Sequence, residues 1–327
     1  MRTLLFHFER CSKQRLMVGL VVAILMNWSA MSELTKGESL TLSLRTATPR
    51  HTILLLEPFV LDIVICNEGR TQTELLAIGP ISGRLLQVHI IDPHGTRRRY
   101  EAVELASGSA KAPISVPESE CHALREVLFL SGDGLHAFAE PGEYTVQATY
   151  APWGPGPAGE ADDSHPVFHA APLKVTVVAP TAREANALDL WRDATNDAKK
   201  GKLQEIPANE DLESLRIGYA DTPYGQYARF FLANRRKIKR PDVKPEAWTN
   251  QEFGLYPVNE SIRRYRMLLQ DAPDFPLADE CMLELARMLL DNSSESSQIL
   301  RELLGDFPES PTIPEAQALL DQLESAE

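Results

Sequence analysis

Between Glu38 and Pro180, apolar side chains alternate with polar ones in short runs. "ESLTLSLRTA", "EPFVLDIVICNEG", "GRLLQVHIIDPHG", "REVLFLSG", "GEYTVQATY" and "PLKVTVVAP" are rich in Val, Ile, Leu and Thr, with Gly, Pro, Asn and Asp between them. A period of two sends successive side chains to opposite faces, so each run predicts a strand bounded by turns. In "FVLDIVIC" the alternation sets Phe59, Leu61, Ile63 and Ile65 on one face, and Val60, Asp62, Val64 and Cys66 on the other. No stretch here is long and periodic enough for a crossover helix. The region therefore predicts an antiparallel sandwich or barrel rather than a parallel βαβ sheet.

From Arg183 the period lengthens to that of a helix. "EANALDLWRDATNDAKKGK" places Ala187, Leu190, Trp191 and Ala194 on one stripe, with Gly201 as a stop. In "VVAPTARE" Pro180 closes the last strand and Thr181 can cap the first helix. Helical segments then alternate with proline-containing turns to residue 325, and the turns repeat. "DAPDFPLADECMLELARMLL" (271–290) has a near copy in "DFPESPTIPEAQALLDQL" (306–323), with Pro276 and Pro311 aligned 35 residues apart. A looser copy, "YADTPYGQYARFFLANRR" (219–236), carries Pro223 in the same place, 53 residues before Pro276. Proline forbids continuation of one helix, and its fixed φ suits the first turn of the next. After Pro276, Leu277, Cys281, Leu285 and Leu289 recur every fourth residue beside Ala278, Met282 and Ala286. So broad an apolar face needs neighbours on two sides, as stacked helix pairs provide.

These phrases carry two resemblances. "EPFVLDIVICNEG" is similar to the second-strand phrase of bacterial immunoglobulin-like domains, and "FAEPGEYTVQATY" to their penultimate strand. The resemblance implies an immunoglobulin-like sandwich in which the Tyr144 hydroxyl ties back to upstream backbone. The Tyr144–Tyr150 strand has no cysteine, so the inter-sheet disulfide of antibody domains is absent. The second resemblance rests on "LLQDAPDFPLADECMLELARMLL" and "LLGDFPESPTIPEAQALL". They resemble the tetratricopeptide-like repeats of exported bacterial cell-envelope proteins, over roughly 183–325 and most closely over 259–323. The Trp, Gly and Tyr positions of that repeat are not cleanly filled, and an ordinary helical bundle remains the alternative. Together they imply all-β plus all-α structure in separate domains: a sandwich over 33–180 and a tetratricopeptide-like α-helical solenoid over 181–327.

The N-terminus changes the expected compartment. Arg2, Arg10, Lys13 and Arg15 precede the apolar "LMVGLVVAILM", and small, polar "NWSAMS" follows. That order is a secretory signal peptide over 1–32, with Ala30 and Ser32 directing a cut before Glu33. An uncleaved signal anchor is the alternative, and would be the chain's one tie to a membrane. Cys11 precedes the apolar run, where a lipoprotein cysteine would follow it. The expected location is periplasmic or extracellular. There a Cys66–Cys121 disulfide is possible but not demanded, and three separate buried thiols, including Cys281, are the plainer reading. The net charge of −13 argues against nucleic acid and against anionic lipid.

Candidate chemistry is sparse. "GPGPAG" (154–159) matches a phosphate-loop pattern, but Pro155 and Pro157 lack the N–H donors such a cradle needs. The eight histidines show no compact metal spacing, and there is no nucleophile elbow or P-loop. One segment stands out in an acidic chain. Arg235, Arg236, Lys239 and Arg240, followed by Trp248, Phe253 and Tyr256, combine cations with aromatics where an extra inter-helix loop is expected. Cations at a helix C-terminus and aromatics packing a loop would explain the same residues. The expected function is non-enzymatic: binding or scaffolding of another envelope or secreted protein, with no cofactor. Two alternatives are an enzyme in which His94, His165 and His169 converge on Asp92 or Asp163, and a polysaccharide-binding sandwich that uses Trp153 for stacking.

Overall fold

The computed structural model describes residues 40–75, 85–101, 114–131, 134–151, 167–196, 210–234 and 257–326. The strand-patterned half forms β1 (Leu40–Thr46), β2 (Thr52–Leu54), β3 (Phe59–Asn67), β4 (Thr73–Leu75), β5 (Leu86–Ile91) and β6 (Arg97–Tyr100). It continues with β7 (Ile114–Val116), β8 (Cys121–Leu128), β9 (Gly142–Tyr150), β10 (Phe168–His169) and β11 (Leu173–Val178). One sheet runs β1-β3-β8 and a second runs β2-β11-β9-β5-β6, with β10 also on β9 and a separate β4-β7 pair. Every pairing is antiparallel except β2 with β11.

The two larger sheets face each other across one apolar core. Leu40, Leu42, Phe59, Leu61, Ile63 and Ile65 meet Val88, Ile90, Tyr144, Val146, Tyr150 and Val175. The predicted face of β3 is thus the one that closes the sandwich. Tyr144 also acts as the resemblance implies: its hydroxyl donates to the Glu140 carbonyl and accepts from the Glu140 N–H, both at 3.1 Å. Cys66 and Cys121 stand opposite each other on β3 and β8 and are joined as a disulfide, so the plainer reading of three separate thiols does not hold. Cys281 is free and buried.

Seven helices follow among the described residues: α1 (Ala182–Asn196), α2 (Glu210–Gly218), α3 (Pro223–Ala233), α4 (Val258–Asp271), α5 (Ala278–Met288), α6 (Ser293–Asp306) and α7 (Ile313–Ala326). Thr181 precedes α1, and Glu184 reaches back to accept from its N–H at 2.8 Å, half of a capping box. Each helix packs on the next in chain order. The predicted stop at Gly201 lies outside the described residues.

The repeat recurs bond for bond. From α4 to α6, and from α5 to α7, the starting residues are 35 apart: Val258 to Ser293, and Ala278 to Ile313. In the first turn Ala272 N–H donates to Leu268 O, Phe275 N–H to Ala272 O and Ala278 N–H to Phe275 O. In the second, Phe307, Ser310 and Ile313 donate to Leu303, Phe307 and Ser310. The earlier copy repeats the first two bonds, Tyr219 to Leu215 and Thr222 to Tyr219. Its third is replaced by the Thr222 hydroxyl, which accepts from Gly225 N–H and caps α3.

Through the second face of β3 the sandwich packs on the helices. Val60, Asp62 and Val64 are buried as well; Val60 packs among helix residues, and Asp62 is tied to α5 through Arg125. Leu54, Leu56, Val60, Phe129 and Leu130 share one apolar cluster with Trp191, Tyr224, Tyr227, Phe275 and Cys281. Sheet, sheet and helices form three layers; the middle sheet belongs to two of the apolar cores, and a third, around Leu283, Leu300 and Leu303, lies within the last three helices.

Candidate functional site

The seam between sandwich and helices is built around the turn after β2. Leu54 N–H donates to the Glu57 carboxylate at 2.8 Å, and Glu57 N–H donates to Leu54 O at 3.0 Å. Leu56 takes a left-handed φ of 60°, a conformation that costs a non-glycine residue about 1 kcal/mol. The tight turn points its carbonyls at the helices. Trp191 Nε1–H donates to Leu56 O at 3.0 Å, Tyr224 OH to Leu55 O at 2.5 Å, and Tyr227 OH to Pro58 O at 2.9 Å. Each satisfies a carbonyl that would otherwise be buried unpaired, at a cost of about 1–3 kcal/mol. Phe129 lies 5.4 Å from the Trp191 ring and Phe231 6.1 Å, so an aromatic cluster surrounds the polar contacts.

Glu57 is almost wholly buried inside this turn, with the Arg50 guanidinium 3.3 Å away. Burial pushes its pKa up to about 7, against the Leu54 N–H bond and the Arg50 charge, which lower it.

A second set of contacts crosses the middle sheet. Arg45, Asp62 and Arg125 are register neighbours on β1, β3 and β8. Arg125 makes a two-pronged contact with Asp62, Nε to Oδ1 at 2.7 Å and Nη2 to Oδ2 at 2.9 Å, and its Nη1 reaches Asp279 Oδ1 at 2.6 Å. The Ser310 hydroxyl donates to the same Asp279, and Arg45 pairs with Glu309. Burial alone would favour loss of the Arg125 proton. Hydrogen bonds and charge from Asp62 and Asp279 outweigh it, and hold the guanidinium pKa above its usual value. Asp279 opens α5 after the first repeat turn, and Ser310 lies in the second, so one arginine ties the sandwich to both turns.

Above this latch lies a cleft of about 390 Å³. Thr46, Ala47, Thr48, Pro49 and Arg50 form one wall, and Phe275, Pro276, Phe307 and Pro308 of the repeat turns form the other. The floor is a closed ion-pair network, with its acceptors already engaged.

The residues singled out from sequence fall mostly elsewhere. Arg235, Arg236, Lys239, Arg240, Trp248, Phe253 and Tyr256 lie outside the described residues, between α3 and α4. The 1–32 segment, Trp153, Asp163 and His165 lie outside them too. Asp92 accepts from His94 N–H and Thr96 N–H and so organises the β5–β6 hairpin, while His94 Nε2 sits 2.9 Å from Glu140. The Glu140 hydrogen bond first, then the charges of Glu140 and Asp92, raise the His94 pKa. His169 pairs with Thr149, at the far end of β9 from Gly142, against which Pro93 packs. Seven residues of strand put them about 23 Å apart. The structure does not bring His94 and His169 together. No group of three or more His, Cys, Asp or Glu able to hold a metal occurs among the described residues.

Sequence reasoning placed Asp62 on the second face of β3 but gave it no role. A charge inside an apolar strand was the available signal. Its network with Arg125 and Asp279 joins positions up to 154 residues apart from Arg125, and no local pattern announces that pairing.

No family model matches the chain, and no curated protein matches it. Among solved structures it is similar to the CARDB domain of a Pyrococcus furiosus protein, at 14% identity over 44% of this chain and 90% of that one, with a TM-score of 0.24. A β-glucosidase from Erythrobacter marinus matches at 13% over 43% and 16%, TM-score 0.25. A DNA glycosylase from Pseudomonas fluorescens matches at 9% over 42% and 30%, TM-score 0.24. Likenesses of this size identify neither a family nor an activity.

Proposed function

We propose that the chain is a non-enzymatic binding or scaffolding protein of an exported compartment, holding another envelope or secreted protein on tetratricopeptide-like helical hairpins. The observation that carries this reading is the recurrence of one helix–turn–helix unit at 35 residues with the same turn hydrogen bonds. Stacked units of that kind exist to present an extended surface, and each helps bury its neighbour's apolar face. The sandwich fits the role of a rigid mount, since three aromatic hydrogen bonds and the Arg125 latch fix it to the helices. The Cys66–Cys121 disulfide suits an oxidising compartment. Among the described residues no helix is long and apolar enough to cross a membrane. The reading requires no cofactor.

The basic and aromatic segment before α4 is the proposed contact. Immobilised protein should enrich a specific partner from envelope extract, identified by quantitative mass spectrometry against a blank matrix. Arg236→Glu combined with Trp248→Ala should abolish that recovery while leaving the thermal midpoint unchanged. If no protein is enriched over the blank, the scaffolding reading fails. If a partner is retained by the double variant, the contact lies on another face of the helices.

A further inference from the structure

Among the described residues, no helix packs on one face of the sandwich. The middle sheet is covered on both sides, but the six-stranded sheet turns its second face outward. Alternation along its strands sends Arg97 and Arg99 of β6 to that face, with Gln87, His89 and Ile91 of β5 and Thr145, Gln147 and Thr149 of β9. Lys174 and Thr176 of β11 and His169 of β10 complete it, all at least partly exposed. Strand register orders these residues into rows. Arg99, His89 and Gln147 lie side by side. Arg97, Ile91, Thr145 and Lys174 form the next row, and Gln87, Thr149 and His169 a third.

The charge on this face opposes that of the chain, which is −13 overall. Among the described residues of these strands its one acid is Glu143, which pairs with Lys174. Neither Arg97 nor Arg99 is ion-paired to another described residue. Among the described residues, Arg99 Nε and His89 Nδ1 are buried without a hydrogen-bond partner. Burial first, then the Arg97 and Arg99 charges, lowers the His89 pKa, as expected where cations crowd without counter-ions.

We propose that this outer face binds an anionic polysaccharide. Two residues of strand separate Arg97 from Arg99 by about 7 Å, and three strand spacings separate Arg97 from Lys174 by about 14 Å. Cations this sparse match a polymer with one carboxylate every sugar or two. Between them, Gln and Thr side chains offer donors and acceptors for hydroxyl groups. A guanidinium fork suits a carboxylate, and here two are spent on no carboxylate of the described residues. Other polyanions fit less well. Nucleic acid carries far denser charge, and the rest of an acidic chain would repel it. A lipid surface calls for apolar side chains to insert, and Ile91 and Val178 are isolated on this face. A protein partner calls for an aromatic anchor, and these rows hold none.

The test uses the full chain and polygalacturonate, with neutral dextran, duplex DNA and anionic phospholipid vesicles as comparators. Isothermal calorimetry should show binding to polygalacturonate but not dextran, weakening steeply between about 50 and 200 mM salt. Arg97→Gln plus Arg99→Gln should weaken binding by about tenfold or more, while Arg263→Gln plus Arg266→Gln on α4 leaves it unchanged. In NMR, the ring resonances of His89 should shift on titration and those of His122, on the middle sheet, should stay fixed. A thermal midpoint matching the wild type keeps the Arg97/Arg99 variant interpretable. No binding at low salt, undiminished binding by that variant, or preference for DNA or vesicles would each overturn the proposal. None of these outcomes depends on whether the helices recruit a protein.

Discussion

Glu57 is the residue on which the seam's titration turns. An ordinary glutamate has a pKa of 4.5, and this one is raised to about 7 by burial. The folded state therefore holds the proton more tightly than the unfolded chain does. Stability from this proton is fully present below pH 4.5 and is lost as pH rises through about 7. Glu280 shifts the same way, again first through burial, but a third of its side chain meets water, so its share is smaller. Glu57→Gln keeps an oxygen for the Leu54 N–H and removes the titration. The wild type should lose a few kcal/mol between pH 5 and 8, on the order set by about 1.4 kcal/mol per pKa unit, and the variant much less. Urea midpoints across that range check this. Equal slopes for both proteins would mean that Arg50 keeps Glu57 ionised throughout.

At the scale of elements, the turn copies differ in how closely the chain approaches itself. In the first copy Gly225 lies so near the preceding turn that an added Cβ would meet the Tyr219 carbonyl oxygen at 1.9 Å. The later copies carry Ala278 and Ile313 at that step. Gly225→Ala should therefore cost about 2–3 kcal/mol by overpacking, where the same change at Gly305, with open space around it, should cost far less. Denaturant unfolding of both variants measures the contrast, and equal losses would refute it. This asymmetry also marks what local pattern reveals. Period-two alternation disclosed β3 and its core face, and the Pro276 and Pro311 phrases disclosed the turns, because both signals lie within a few residues. The 53-residue offset from Pro223 was equally visible, and the turn bonds there bear it out. The carbonyls of Leu55, Leu56 and Pro58 carried no such signal. Their donors are 135 to 169 residues away, and a run of three leucines reads the same whether it plugs another layer or ends a strand.

For the whole molecule, the middle sheet decides how the chain comes apart. Its inner face closes the sandwich and its outer face closes the helical core, so neither layer can leave without exposing apolar surface of the other. Separating the helices would bare Leu54, Leu56, Val60, Phe129 and Leu130, each worth about 1.5–3 kcal/mol when buried. It would also unpair Arg125 from Asp279 inside a nearly dry seam. Penalties of this size exceed the stability of most single domains, so the two halves should unfold as one cooperative unit. Calorimetry should show a single transition, and loss of the near-ultraviolet signal from Trp191 should coincide with loss of strand signal. Arg125→Met tests the latch within that unit. Leaving Asp62 and Asp279 without their cation should cost about 3–5 kcal/mol and draw helix and sheet transitions apart. Two well-separated transitions in the wild type would instead show that the shared core is too weak to couple the layers.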